Sequence, residues 1–457
     1  MVALEAALPP TRIKHLDEAP LAKGPPFVGS IKEMMSDPAR FFYESFREHG
    51  PVFRFKLLGR TNYVIAGPDA AKMIDQRGEK NVLRSFEFWE GQTKEFGAKY
   101  SLVRDDGDVH DRLRAILKRS ISRDVVKGRY AEAVGILNTI FERDWRPGTT
   151  IPVVMRMQRL IAELIGMIVA GAAPDDYAAD IRTFIKYMLM TKVTRQFPDI
   201  ILNLPFYQNA KRRVFEFAHK LVDDYKKKGP PKDPEQLDFI GEILKAHREN
   251  PDLVPASDIP QLVLSPYVAG LDTVANTLGS ALYALLKNPD ILARARAEVD
   301  GIGELNEAAL RNMPATQGVM METLRLYPIN VAAMRTANRP FDFAGYHIPE
   351  GAMLFCASAV SHFMPEFYPD PGKFDIDRYE PPRREHMKPF AFSAFARGPH
   401  TCLGQGLAEI LMMLSLAVMV RKVDMRLDPL DYEMKKRAVP TPGPADDFHV
   451  YIERYRS

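Results

Sequence analysis

Cysteine is nearly absent: the 457-residue chain holds two, Cys356 and Cys402. Two cysteines cannot build the disulfide framework of a small secreted domain, and they point to a reducing compartment. An excess of either charge is also missing. Lys and Arg number 62 against 59 Asp and Glu, a net of +3, so no global field favours nucleic acid or a membrane surface, and any basic patch has to be local. No run reaches the roughly 18 apolar residues that cross a bilayer. The start, Met1 to Leu8, carries Glu5 and runs into Pro9-Pro10, too short and too acidic for a signal peptide. A cytoplasmic protein with no transmembrane anchor and no nucleic-acid partner is expected. Core material is plentiful, at 46% hydrophobic residues, enough for one large domain or for two or three average ones.

One of the two cysteines sits in an unusual place. Phe395-Ala-Arg-Gly-Pro-His-Thr-Cys402-Leu-Gly404 leads straight into an apolar segment in which Leu407, Ile410, Leu411, Leu414 and Val418 recur at helical spacing. A thiolate at a helix N-terminus gains from the unpaired N–H groups there. Gly398 and Gly404 let the backbone turn tightly and lie close to something flat. A single thiolate with no second soft ligand nearby suits haem iron better than zinc, and a packed core cysteine is the alternative.

The loop has Phe, two residues, Gly, one residue, Arg or His, one residue, Cys, one residue, Gly. In this it resembles the haem-binding loop of the cytochrome P450 family, with Phe395, Gly398, His400, Cys402 and Gly404 in the five positions. The resemblance implies a mostly α fold, a single domain over residues 1–457 with a smaller β-rich region and a proline-rich segment at 1–38. It also implies haem b with Cys402 as iron ligand, O2 as co-substrate, and electrons from NADH or NADPH through a reductase and a ferredoxin or flavodoxin. Other motifs follow in family order. Ala269-Gly-Leu-Asp-Thr273 stands inside the long helix expected from Ser257, as its cap, to about Leu286. Gly270, Asp272 and Thr273 are poor mid-helix residues, which suggests a close approach to the backbone there. The resemblance places O2 at Ala269 and Gly270, with Asp272 and Thr273 relaying protons. Pro266 should kink this helix. Glu322-Thr-Leu-Arg325 with Arg378 would form a buried charge network that holds the ligand loop.

His110 and Arg114, four apart on one helix face, suit two carboxylates such as haem propionates. Arg335 matches a further propionate ligand, whereas His400 replaces the more usual arginine. Arg112, Lys118 and Arg119, with Arg397, would form a basic landing site for an acidic electron carrier, a solvated helix face being the alternative. Arg84 to Asp108 is aromatic and aperiodic and reads as a long loop; Phe88 and Trp89 there, with Val268, Ile329, Val331 and Met334, are the candidates to line a pocket for a hydrophobic small molecule. Phe197 to Phe206 falls where the family has a mobile lid. Val52–Leu57 and Asn62–Ala66 alternate like a hairpin, and Thr441 to Pro444 reads as a turn. The leading function is a monomeric haem-thiolate monooxygenase. Peroxide-driven, isomerase or dehydratase relatives and a non-catalytic haem carrier are the alternatives; the acid–threonine pair argues against them.

Overall fold

Phenylalanines organise the first lobe. In the computed structural model, which describes residues 13–75, 82–232 and 238–456, helix α1 (Pro38–His49) starts on Asp37, whose side chain accepts from the Arg40 amide. Phe41 and Phe42 of α1 are buried against Phe53 and Phe55 of the following strand. The expectation for Met1 to Leu8 lies outside the described residues. Within the proline-rich start, Ile31–Ser36 forms a short helix. Strands β1 (Val52–Leu57) and β2 (Arg60–Ala66) make the expected hairpin, β2 beginning two residues before its alternation shows. Leu58 and Gly59 both have positive φ, 48° and 79°, the two-residue turn whose twist suits antiparallel strands. Helix α2 (Gly67–Asp75) follows. With β3 (Leu83–Arg84), β4 (Ala333–Ala337) and β5 (Met353–Ala357), the hairpin forms a five-stranded sheet in the order β1-β2-β5-β4-β3. Cys356 on β5 is fully buried, and burial pushes its thiol up to about 12.

The expected loop over Arg84 to Asp108 is half wrong. Its first part is a helix, α3 (Phe86–Glu95). Its buried residues are Gln92 and Thr93, so a count of apolar positions misses the helical period. Only the remainder is irregular, and it is pinned by Asp258, which accepts from the amides of Lys99 and Tyr100 at 2.7 and 2.9 Å. Helix α4 (Gly107–Lys118) buries His110, Leu113 and Leu117, and α5 (Val153–Ile165) is apolar on most sides.

The central helix, α6 (Ile259–Lys287), corrects one expectation. It starts after Ser257, which does not cap it; the Ser257 hydroxyl bonds to the Asp258 carboxylate at 2.8 Å. Pro266 lies inside it. Proline has no N–H to offer the Leu262 carbonyl, and the Ser265 hydroxyl donates to that oxygen at 2.7 Å, so the helix runs on.

Helix α7 (Pro314–Leu326) and helix α8 (Gln405–Lys422) pack on α6. Contrary to expectation, one described segment, Gly398–Lys422, is long and apolar enough to cross a bilayer, with a mean hydropathy of 1.8. Its apolarity serves the interior: α8 is walled by α6, α7 and the helices Tyr130–Asp144 and Pro289–Asp300. Strands β6 (Val423–Leu427) and β7 (His449–Tyr455) pair antiparallel, and Gly443-Pro444, expected as a turn, pairs with Lys436-Arg437 against α6.

Candidate functional site

The two arginines and the glutamate expected to hold the ligand loop are all fully buried and bonded. On α7, Glu322 Oε1 and Oε2 accept from Arg325 Nη2 and Nε, both at 2.7 Å. Oε1 also accepts from Arg378 Nε at 3.1 Å and from the Asp375 amide, and Oε2 accepts from the Tyr379 hydroxyl. Arg378 donates further to the Pro369 and Asp370 carbonyls and to Glu385 at 2.9 Å. Two buried cations thus meet two buried anions, and the second anion, Glu385, was not foreseen. Nothing in its Arg-Arg-Glu context marks it as buried.

A histidine missed by sequence reasoning joins this network to the loop. His362 Nδ1 lies 3.1 Å from the Arg325 carbonyl oxygen, and its Nε2 accepts from the Ser393 amide at 2.8 Å. The ring is therefore the neutral Nδ1–H tautomer, and it stacks on Phe392. Burial, and then the Arg325 guanidinium, push its pKa down to about 3. The unfolded chain takes up this proton near pH 6.5 and the folded chain only near 3. The stability held by the neutral ring is thus complete above pH 6.5 and declines as pH falls toward 3, by about 1.4 kcal/mol per unit. Between pH 7 and pH 5, unfolding by urea should therefore weaken by about 2 kcal/mol more in the parent than in His362→Gln; an equal loss in both would remove this assignment.

The loop closes on itself. The Cys402 amide donates to the Phe395 carbonyl at 2.8 Å, and the Thr401 hydroxyl donates to the Gly398 carbonyl. Both glycines also have protein neighbours. Gly398 has φ of 74°, and a Cβ there would lie 2.1 Å from the Ile74 carbonyl of α2; a Cβ on Gly404 would meet Ile121 at 3.4 Å. The Cys402 side chain is exposed, yet the protein around it is dense enough for burial to raise the thiol. Both hold if the sulfur faces a space inside the fold. The Gly404 amide and Arg114 pull the thiol down as the helix-terminus argument expects, but burial outweighs them.

Around the loop lies the proposed propionate cradle. His110 is buried, burial and then His400 lower its pKa, and its Nε2 finds no hydrogen-bond partner among the described residues. Its ring centroid is 4.4 Å from that of His400. Arg335 on β4 donates to the Met334 carbonyl at 2.8 Å, and burial depresses its pKa, so it is a cation short of compensating charge. Such groups fit the carboxylates of a haem, and one accessible thiol fits its iron. Among the described residues no group of three or more His, Cys, Asp or Glu could hold a metal ion.

On α6 the motif divides. Ala269 is exposed and Thr273 half-buried, while Gly270, Leu271, Asp272 and Val274 are buried, so this face is open. The Thr273 hydroxyl donates to the Ala269 carbonyl at 2.7 Å. Gly270 faces α5, where a Cβ would lie 2.3 Å from Ile165 Cδ1, so helix packing explains this glycine. Asp272 is buried and accepts from Gln158 Nε2 of α5 at 2.6 Å; burial raises its carboxyl, with Arg437 opposing. Gln158 was also missed, because an amide on an apolar helix carries no motif.

The other candidates scatter. Phe88 and Trp89 meet edge to face on α3, and both are half-buried, as are Val268, Ile329 and Met334. Val331 does not share their openness: it is buried in the core of the first lobe with Phe53 and Phe55. In the segment expected as a lid, Asp199–Asn203 is a short 3-10 helix, Ile200 is exposed, and Phe197 and Phe206 pack on Tyr187. Arg112, Lys118 and Arg119 are exposed, and Arg123 and Lys127 extend the row. Arg397 leaves it: its guanidinium turns inward to Ser393 Oγ and the Phe392 carbonyl, both at 2.7 Å, and braces the loop.

Comparison with known proteins agrees with this geometry. A family model described as cytochrome P450 matches residues 20–442. Abscisic acid 8′-hydroxylase of Solanum lycopersicum is 27% identical, over 88% of this chain and 84% of the relative. Pentalenene oxygenase of Streptomyces avermitilis is 25% identical, over 91% and 93%. Among solved structures, retinoic acid bound cyanobacterial CYP120A1 superposes with a TM-score of 0.81 at 23% identity, over 95% of this chain and 99% of that one, which speaks to the fold.

Proposed function

Since the chain belongs to the cytochrome P450 family and is an oxidoreductase of its monooxygenase class, we propose that it hydroxylates a hydrophobic small molecule with haem b held by Cys402. The observation that carries the reading is an accessible thiol inside the fold, on a loop braced by a fully satisfied charge network. Bound there, haem would supply the reductive activation of O2 and the insertion of one oxygen atom into a C–H bond. His110, Arg114 and Arg335 hold its propionates. Phe395 and the glycines fix the loop that presents the sulfur. Asp272, its carboxyl raised by burial, stands beside Thr273 to pass a proton, and Gln158 fixes one of its oxygens. Thr273 offers its hydroxyl on the open face of the helix.

Electrons arrive from NADH or NADPH through a reductase and a ferredoxin or flavodoxin, and the exposed row of Arg112, Lys118, Arg119, Arg123 and Lys127 supports an acidic carrier. Abscisic acid and pentalenene, named in two relatives, are both terpenoids, so terpenoids lead the substrate class. Thr273→Ala should bind haem normally but send electrons to peroxide, with product per NAD(P)H falling about tenfold or more. Unchanged coupling in that variant would remove the proton role. A terpenoid panel read by the spin-state shift of the iron tests the substrate class; shifts by fatty acids alone would overturn it.

A further inference from the structure

Asp106 occupies the N-cap position of α4, where an aspartate usually accepts from its own helix. Here it caps nothing: its side chain makes no bond to the amides of that first turn. Both oxygens are used elsewhere, Oδ2 by the Ser85 amide at 2.8 Å and Oδ1 by His400 Nε2, also at 2.8 Å. His400 is nearly buried, with a side-chain exposure of 10%, so its Nε2 is committed to this one acceptor. Asp106 also acts electrostatically on Arg335 and Arg84. A carboxylate therefore stands among the groups that the haem reading assigns to two other carboxylates.

Resting on that reading, we propose that Asp106 is a positioning residue built into the propionate cradle. It takes up His400 and competes for Arg335, so the propionates are held by His110, Arg114 and Arg335 without direct help from His400. His400 acts on the haem only by holding Asp106 in place. A negative charge beside a haem disfavours the added electron, so Asp106 also sets the reduction potential lower than the cationic residues alone would.

A double-mutant cycle at one fixed pH tests this, with Asp106→Asn, His400→Ala and the pair, each as holoprotein. Asp106→Asn keeps an acceptor for Ser85 and loses the charge. It should slow haem transfer to an excess of a haem-accepting apoprotein several-fold and raise the reduction potential. His400→Ala should speed transfer several-fold in the parent and change little in the Asp106→Asn background. If His400→Ala accelerates transfer by the same factor in both backgrounds, His400 binds a propionate itself and the proposal is overturned. Faster transfer from Asp106→Asn with an unchanged potential also overturns it, making Asp106 a structural tie alone. Asp106→Ser serves the same comparison should the asparagine variant not fold. A parent protein that takes up haem without a thiolate-type spectrum would instead overturn the Cys402 ligand, an outcome separate from either result of the cycle.

Discussion

Cys402→Ala is expected to give a folded protein whose reduced carbon monoxide complex lacks the thiolate-type spectrum and whose oxygenase activity falls below detection. The loop does not depend on the sulfur for its shape. Its turns are closed by the Cys402 amide, the Thr401 hydroxyl and the inward Arg397, none of which uses the thiol. The substitution therefore removes the ligand and leaves the cradle. Cys356→Ala is the control, since that thiol is packed in the core of the first lobe and held neutral by burial. The alanine there should lower stability by about 1–2 kcal/mol and leave the spectrum intact. A thiolate-type spectrum surviving in Cys402→Ala would transfer the ligand role elsewhere, and its loss in Cys356→Ala would do the same.

Glu322→Ala is expected to have the largest effect on stability. Five donors converge on this carboxylate, and two of the residues supplying them are arginines with no exposure. Removing it strands Arg325 against carbonyls alone, while Arg378 retains Glu385. Loss of one partner from a buried ion pair costs about 3–5 kcal/mol, a large share of the roughly 5–15 kcal/mol that holds a folded domain. Little soluble haem protein should accumulate, and any that does should unfold at a much lower urea concentration. Glu322→Gln keeps the shape and part of the hydrogen bonding, so it should fall between. An alanine variant with the parent's urea midpoint would show that the network contributes nothing to stability.

Why the network and the loop could be read from the chain, while their connection could not, follows from the chemistry of each contact. Glu322, Arg325, Arg378 and Cys402 stand in short strings, Glu322 to Pro328, Phe374 to Arg378 and Phe395 to Gly404, whose order along the chain carries the family resemblance. His362 works instead through one carbonyl and one amide, and any residue offers those. Asp106 is hidden by distance, since its partners lie 21 residues before it and 294 after it. Helix α3 was hidden because its buried positions are Gln92 and Thr93. Pro266 is the opposite case: its missing N–H is plain in sequence, but the Ser265 hydroxyl that meets the freed Leu262 carbonyl depends on a rotamer. Gly270 was rightly singled out, though its neighbour is Ile165 of α5.

The Asp258 clasp has a mechanical consequence. It fastens the amides of Lys99 and Tyr100 to the first turn of α6, so that stretch and the central helix move as one piece. Helix α3 carries Phe88 and Trp89 and ends at Glu95, just before the clasp. The same stretch also holds α3, because the Ala98 amide donates to the Thr93 carbonyl at 3.1 Å and Arg104 Nη1 donates to Glu90 at 2.9 Å. The helix carrying Phe88 and Trp89 is thereby linked, through one short segment, to the helix that carries Thr273.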